Sequence, residues 1–156
     1  MTELRRRGFS LVEVLVVILL IGIVTAFAAP SLIRIGNNAN LRAARGALVT
    51  AVNVTKSSAV TTGKCAFLKL AANSVSVFTT SCPGGTQTQI VSNRNFGTDY
   101  SVDVTLKKGS GSALSTDSLG FDPRGIPTNN TQTDTFTITK SGSTRYVVVG
   151  PYGRVN

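Results

Sequence analysis

Histidine is absent from the chain, which removes the side chain that most often moves protons near neutral pH and most often ligates transition metals. There is no G-x-S-x-G elbow and no phosphate loop: Thr62-Gly63-Lys64-Cys65 has neither the upstream glycine nor the hydroxyl residue that should follow the lysine. Tryptophan is absent too, and only 15% of residues are charged. Carboxylates are scarce, 7 against 16 lysines and arginines. Beyond Ser31 they are Asp99, Asp103, Asp117, Asp122 and Asp134, scattered among expected strands and turns. Asp in a turn usually bonds its own backbone, so Asp117 and Asp122 are read as turn formers rather than as acid, base or calcium ligand. An enzyme is not expected, and neither is a cofactor or a metal.

What is present is concentrated at the front. A basic leader ending in Arg5-Arg6-Arg7 runs into an apolar segment that carries no charge between Val14 and Ala29. Residues 9–29, as a helix rising about 1.5 Å per residue, would span roughly 30 Å, the thickness of a hydrocarbon core. The arginines before it favour a cytoplasmic leader and place everything after Pro30 outside; Arg34, Arg42 and Arg45 oppose that asymmetry from farther away. One carboxylate, Glu13, lies near the start of the segment. An ionisable group costs about 2.5–3.5 kcal/mol at the centre of a membrane helix, so its presence asks for a function and a partner.

Three readings compete for this segment. A secretory signal peptide would use Ala26-Phe27-Ala28 as its cleavage site, but the apolar stretch is long and holds Glu13. A plain membrane anchor leaves Glu13 unexplained. The third reading is a resemblance: Arg7-Gly8-Phe9-Ser10-Leu11-Val12-Glu13 resembles the class III signal of type IV pilins and pseudopilins. The resemblance implies that a prepilin peptidase cuts after Gly8 and methylates Phe9, and that Glu13, now the fifth residue, pairs with the N-terminal amine of a neighbouring subunit. It also implies that Gly22 and Pro30 are weak points of the helix.

The implied layout is a leader at 1–8, a transmembrane and filament-core helix at 9–30, an amphipathic continuation at 31–62 and a periplasmic β domain at 63–156. Leu41, Ala44, Leu48, Ala51, Val52 and Thr55 recur at three- and four-residue steps, as a helix with one buried face requires. Pro30 and Gly36-Asn37-Asn38 predict a bend or local unwinding between Gly22 and Asn38. After Gly63 the pattern changes to short strands at 66–70, 75–79, 89–91, 100–106, 118–121, 133–139 and 144–149, with loose stretches at 82–86 and 109–115. The first two strands make a hairpin around residues 71–74, in which Leu70 would face Val77, Leu68 would face Thr79 and Cys65 would face Cys82. With no C-x-x-C spacing and no histidine, a structural disulfide on the exported side is favoured over metal binding or redox chemistry.

Phe121-Asp122-Pro123-Arg124-Gly125-Ile126-Pro127 and Gly150-Pro151-Tyr152-Gly153-Arg154-Val155-Asn156 resemble the corresponding stretches of the GspH/FimT pseudopilin and minor pilin family. That resemblance implies an α+β, pilin-like fold: a long N-terminal helix packed on a C-terminal antiparallel β-sheet, anchored once in a bacterial inner membrane and assembled with other pilins or pseudopilins. It implies one of two machines, a type II secretion pseudopilus or a type IV pilus. Some FimT-like members bind DNA through Gly-Arg-x-Arg, which maps onto Gly153 to Asn156, with Asn156 standing where the second arginine would be. From Ser31 onward thirteen lysines and arginines face five aspartates, a surplus that suits a polyanion. Arg154, Arg145 and Lys140 are the candidate contacts, while Tyr146 and Tyr152 are read as packing residues of a strand and a turn rather than as stacking platforms.

Overall fold

A single helix, α1, runs from Leu11 to Thr62 in the computed structural model, which describes residues 10–128 and 132–156, the side chains of 27–30 excepted. The cleavage pair Gly8 and Phe9 lies outside the described residues. The helix is unbroken through Gly22, Pro30 and Gly36, so the local unwinding expected there is not seen. Helix formation is cooperative, so in a helix of 52 residues the turns on either side carry these few poor formers and the bond that Pro30 cannot donate. Gly63, at φ 63°, ends α1 in the left-handed conformation that closes many helices.

The chain divides into two compact units, Met1–Gly36 and Asn37–Asn156. In the first, the described apolar side chains are exposed, among them Leu15, Ile18 and Leu20, and the helix is long and apolar enough to cross a membrane. In the second, Leu41, Ala44, Leu48, Val52, Thr55 and Ala59 are fully buried, the stripe that the spacing predicts with one more turn added. Ala51 packs against its margin.

Eight strands and one short helix follow among the described residues. They are β1 (Cys65–Ala71), β2 (Ser74–Thr80), β3 (Thr88–Asn95), α2 (Phe96–Tyr100), β4 (Asp103–Lys108), β5 (Ala113–Leu114), β6 (Thr116–Phe121), β7 (Asp134–Lys140) and β8 (Ser143–Val149). They form two antiparallel sheets, ordered β3-β2-β1-β6 and β5-β4-β7-β8, where the sequence suggested one. Side chains of both sheets join the buried helical stripe in a shared core that includes Leu68, Phe121, Phe136 and Ile138.

The first hairpin is two residues tighter than its sequence suggests. Ala71 pairs with Ser74, Leu68 with Val77 and Cys65 with Thr80, leaving only Ala72 and Asn73 in the loop, both at positive φ. A two-residue turn of this kind matches the strand twist, and asparagine tolerates it. The shift is even, so every side chain keeps its expected face. Asn73 also serves the second sheet: its Oδ1 accepts from the Val104 N–H at 2.8 Å and its amide donates to Asp103 at 2.9 Å. Tyr100, expected at the start of a strand, instead ends α2, whose first turn is capped by the Asn95 side chain.

Asp117 is not a turn former. It lies in β6 and pairs with Lys108 of β4 at 2.6 Å, an ion pair that ties one sheet to the other. Asp134, buried at the start of β7, stands opposite Lys108. Burial raises its carboxyl above the ordinary 3.8, the Asp117 charge acts in the same direction, and the Lys108 charge and the Gly109 N–H oppose them. Between 3.8 and that raised value the folded chain holds the extra proton, so this group makes stability fall as pH rises through the window and adds no slope above it. Asp134→Asn is expected to remove that component. Urea unfolding between pH 4 and 7 should give a difference from wild type that changes only below the upper end of the window.

Candidate functional site

Glu13 sits in the first turn of α1, its N–H donating to the Ser10 carbonyl at 3.0 Å. Its neighbours Leu11, Val12, Val14, Val16 and Val17 all face outward. Among the described residues no cation meets its carboxylate. A charge in this setting is stable only where a counter-ion is brought to it or where water reaches it.

The far end of the second unit holds a second constellation, built from the two glycine-bearing turns. In the first turn Asp122 is the organiser: its Oδ1 accepts from the N–H groups of Arg124 and Ile126, both at 2.9 Å, and its Oδ2 takes two bonds from the Arg124 guanidinium. Partial burial by itself raises the Asp122 carboxyl, but these donors and the guanidinium charge outweigh it and hold the group below the ordinary 3.8. Here Asp122 is the turn former expected of it. In the second turn the backbone doubles back, Gly150 N–H bonding to the Arg154 carbonyl and Val148 exchanging bonds with Asn156, so that residues 154–156 lie along the edge of β8.

Helix α1 clamps the two turns together. Lys56 carries its ammonium to the Gly153 carbonyl at 3.0 Å. A Cβ on Gly153 would stand 2.7 Å from the Gly125 carbonyl, and one on Gly125 would press on Val60 and Lys56. Both glycines also have positive φ, 72° and 77°, so backbone conformation and close approach each require glycine. The two sequence motifs are therefore neighbours in space. Arg124 and Arg154 both project from this pair of turns into solvent, and Tyr152 beside them is 84% exposed.

The other candidate contacts are dispersed. Arg145 is exposed on β8, five residues before Gly150, which is about 17 Å along a strand. Lys140 is half-buried and its ammonium donates to the Tyr100 carbonyl at 2.9 Å, so it is committed to holding the fold. Tyr146 is 55% exposed; neither it nor Tyr152 is the packing residue that the sequence suggested. Reasoning from sequence missed Lys56 and Arg124, whose approach to Arg154 depends on long-range folding, and Arg45, whose Nε donates to the Tyr146 carbonyl at 3.0 Å. No group of His, Cys, Asp and Glu able to hold a metal occurs among the described residues.

Comparisons with known proteins fit this architecture. The prokaryotic N-terminal methylation motif matches residues 4–29, and the family described as type II transport protein GspH matches residues 44–153. No curated protein matches the chain. Among solved structures, the type IV minor pilin FimU of Pseudomonas aeruginosa is 17% identical, with a TM-score of 0.58 over 76% of this chain and 88% of that one. The minor pseudopilin EpsH of the type 2 secretion system of Vibrio cholerae is 10% identical, with a TM-score of 0.59 over 75% of this chain and 94% of that one. At these identities the likeness is one of fold.

Proposed function

The chain belongs to the GspH family, and from that premise we propose that it is a non-enzymatic minor subunit of a type IV filament machine, working as a pseudopilin of the type II secretion class. The observation that carries this reading is Glu13, a lone carboxylate in an exposed apolar helix, inside the match to the N-terminal methylation motif. A prepilin peptidase removes residues 1–8 and methylates Phe9. The freed amine of one subunit then neutralises Glu13 of the next, so that the pair is satisfied only inside the filament. Before assembly the helix anchors the chain once in the inner membrane, with the β domain outside. Intact-mass and N-terminal analysis of the mature chain tests this: it should begin at Phe9 and carry one extra methyl group, and a start at Met1 or Ala29 would overturn it.

A second reading is favoured by one observation. With Lys56 bonded to the Gly153 carbonyl and Arg124 ion-paired with Asp122, the paired turns present exposed Arg154 close to the exposed Tyr152, a cation and an open ring that suit single-stranded DNA. In this reading the chain is a minor pilin of natural transformation, and Asn156 in place of a second arginine makes the contact weak. Arg154→Ala is expected to lower DNA affinity about equally for all sequences and to flatten its salt dependence. A gel shift that wild type and variant share at low salt would reject a role for this turn.

A further inference from the structure

Between Glu13 and Asp99 the sequence contains no carboxylate at all, while seven lysines and arginines fall in that interval. Strands β1, β2 and β3 lie wholly inside it. Their sheet has one face in the core, where Leu68, Leu70, Val75 and Val77 are buried. By alternation Cys65, Phe67 and Lys69 of β1 and Thr80 of β2 belong to the opposite face.

That face carries a recess. Phe67 lies across Gly120, where a Cβ would come within 2.7 Å of both the ring and the Thr128 hydroxyl, so glycine is what lets the ring settle there. The Cys65–Cys82 disulfide forms one wall and Pro83 and Gly84 the next, and the half-open space they enclose is about 340 Å³. This is ample for a large side chain, since a cavity of about 150 Å³ accepts benzene. The lining is mostly apolar, with Thr80, Ser81 and Thr128 as its polar members. Thr80, 6% exposed, lines the recess, and its hydroxyl is buried without a hydrogen-bond partner among the described residues. Such an orphan is costly unless something supplies the missing bond. At the margin Lys69 holds its ammonium 4.8 Å from the centre of the Phe78 ring and bonds the Gln87 side chain. It meets no carboxylate among the described residues.

We propose that this recess is a docking site for an extended acidic segment of another protein subunit. A large apolar side chain of that segment fills the space over Phe67, one of its backbone groups bonds the Thr80 hydroxyl, and a flanking carboxylate pairs with Lys69. The Lys69 ammonium at the margin, which meets no carboxylate among the described residues, supplies the charge complementarity. A polynucleotide would satisfy the cations but leave the apolar pocket and the buried hydroxyl unfilled. A lipid chain would fill the pocket but bring no hydrogen bond to that depth. The inference rests on the filament reading only in naming a subunit as the source of the segment.

Because the chain has no tryptophan, a tryptophan peptide reports its own burial. The full chain in nonionic detergent is titrated against acetyl-Asp-Trp-Asp-amide. A saturable blue shift in emission is expected, with acetyl-Lys-Trp-Lys-amide giving much less. Lys69→Gln should weaken the response about twofold to fivefold, Thr80→Val about twofold to tenfold, and Thr128→Phe, at an exposed rim position, should block it. A response that does not saturate, equal responses to the two peptides, or full affinity in Thr128→Phe overturns the proposal. So does a Thr80→Val chain that is more stable yet binds the peptide unchanged. Stronger competition by single-stranded DNA or by phosphatidylglycerol vesicles than by unlabelled acidic peptide also overturns it, assigning the face to a polyanion or a membrane. An intact peptide response in a chain that never enters filaments would reject the filament reading alone.

Discussion

Glu13→Val is expected to leave the chain in the membrane and to remove it almost completely from filaments. Insertion should not suffer, because the substitution takes away the one group in the segment that opposes it, a group costing about 2.5–3.5 kcal/mol when unpaired at the bilayer centre. Assembly should suffer, because the neighbouring subunit's amine would then be buried without its counter-ion. Breaking a buried pair from one side costs about 3–5 kcal/mol, which corresponds to a loss of incorporation on the order of a hundredfold or more. The measurement is the ratio of chain in sheared filament fractions to chain in membranes. Glu13→Gln separates charge from shape: it keeps the volume and a hydrogen-bonding carbonyl, so incorporation close to wild type would mean that hydrogen bonding suffices. Undiminished incorporation of the valine variant would reject the pairing altogether.

The parts of this molecule that could be read from sequence are those governed by local periodicity. The buried stripe from Leu41 to Thr55 follows from helical spacing, because a 26-residue helical stretch packed on one side leaves few other arrangements. Glu13 stood out for an equally local reason, as a single charge in a run of apolar residues. The register of the β1–β2 hairpin did not follow, because Ala72 carries no turn signal and Asn73 alone does not say whether the loop holds two residues or four. α2 was hidden by its length: five residues give no periodicity, and only the Asn95 cap announces it. The division into two sheets rests on strand pairings far apart in sequence, β1 with β6 and β4 with β7. The joining of the 122–126 and 150–154 turns through Lys56 is of the same kind. Each motif carries glycines for its own turn, and nothing local says that the two turns touch.

Removing the disulfide should have the largest effect on stability. Cys65 and Cys82 are bonded with their Cα atoms 5.5 Å apart, within the favoured range, although Cys65 pairs across the strands with Thr80 rather than with Cys82. The bond therefore reaches past the end of the ladder and closes a loop containing the whole β1–β2 hairpin. In the chain-entropy account a loop of this length contributes about 3 kcal/mol, a large share of the 5–15 kcal/mol that holds a typical domain together. The Cys65→Ser, Cys82→Ser double variant should melt lower by on the order of 10 °C, and wild type with reductant should approach the same curve. Exposed β3, paired only with β2 and by an irregular register, is expected to lose amide protection first, because the loop leading into it starts at Cys82. A double variant that melts within a degree or two of wild type would mean that the hairpin, with its two-residue turn and its paired β6 on the other side, already constrains the unfolded chain enough to make the bond redundant.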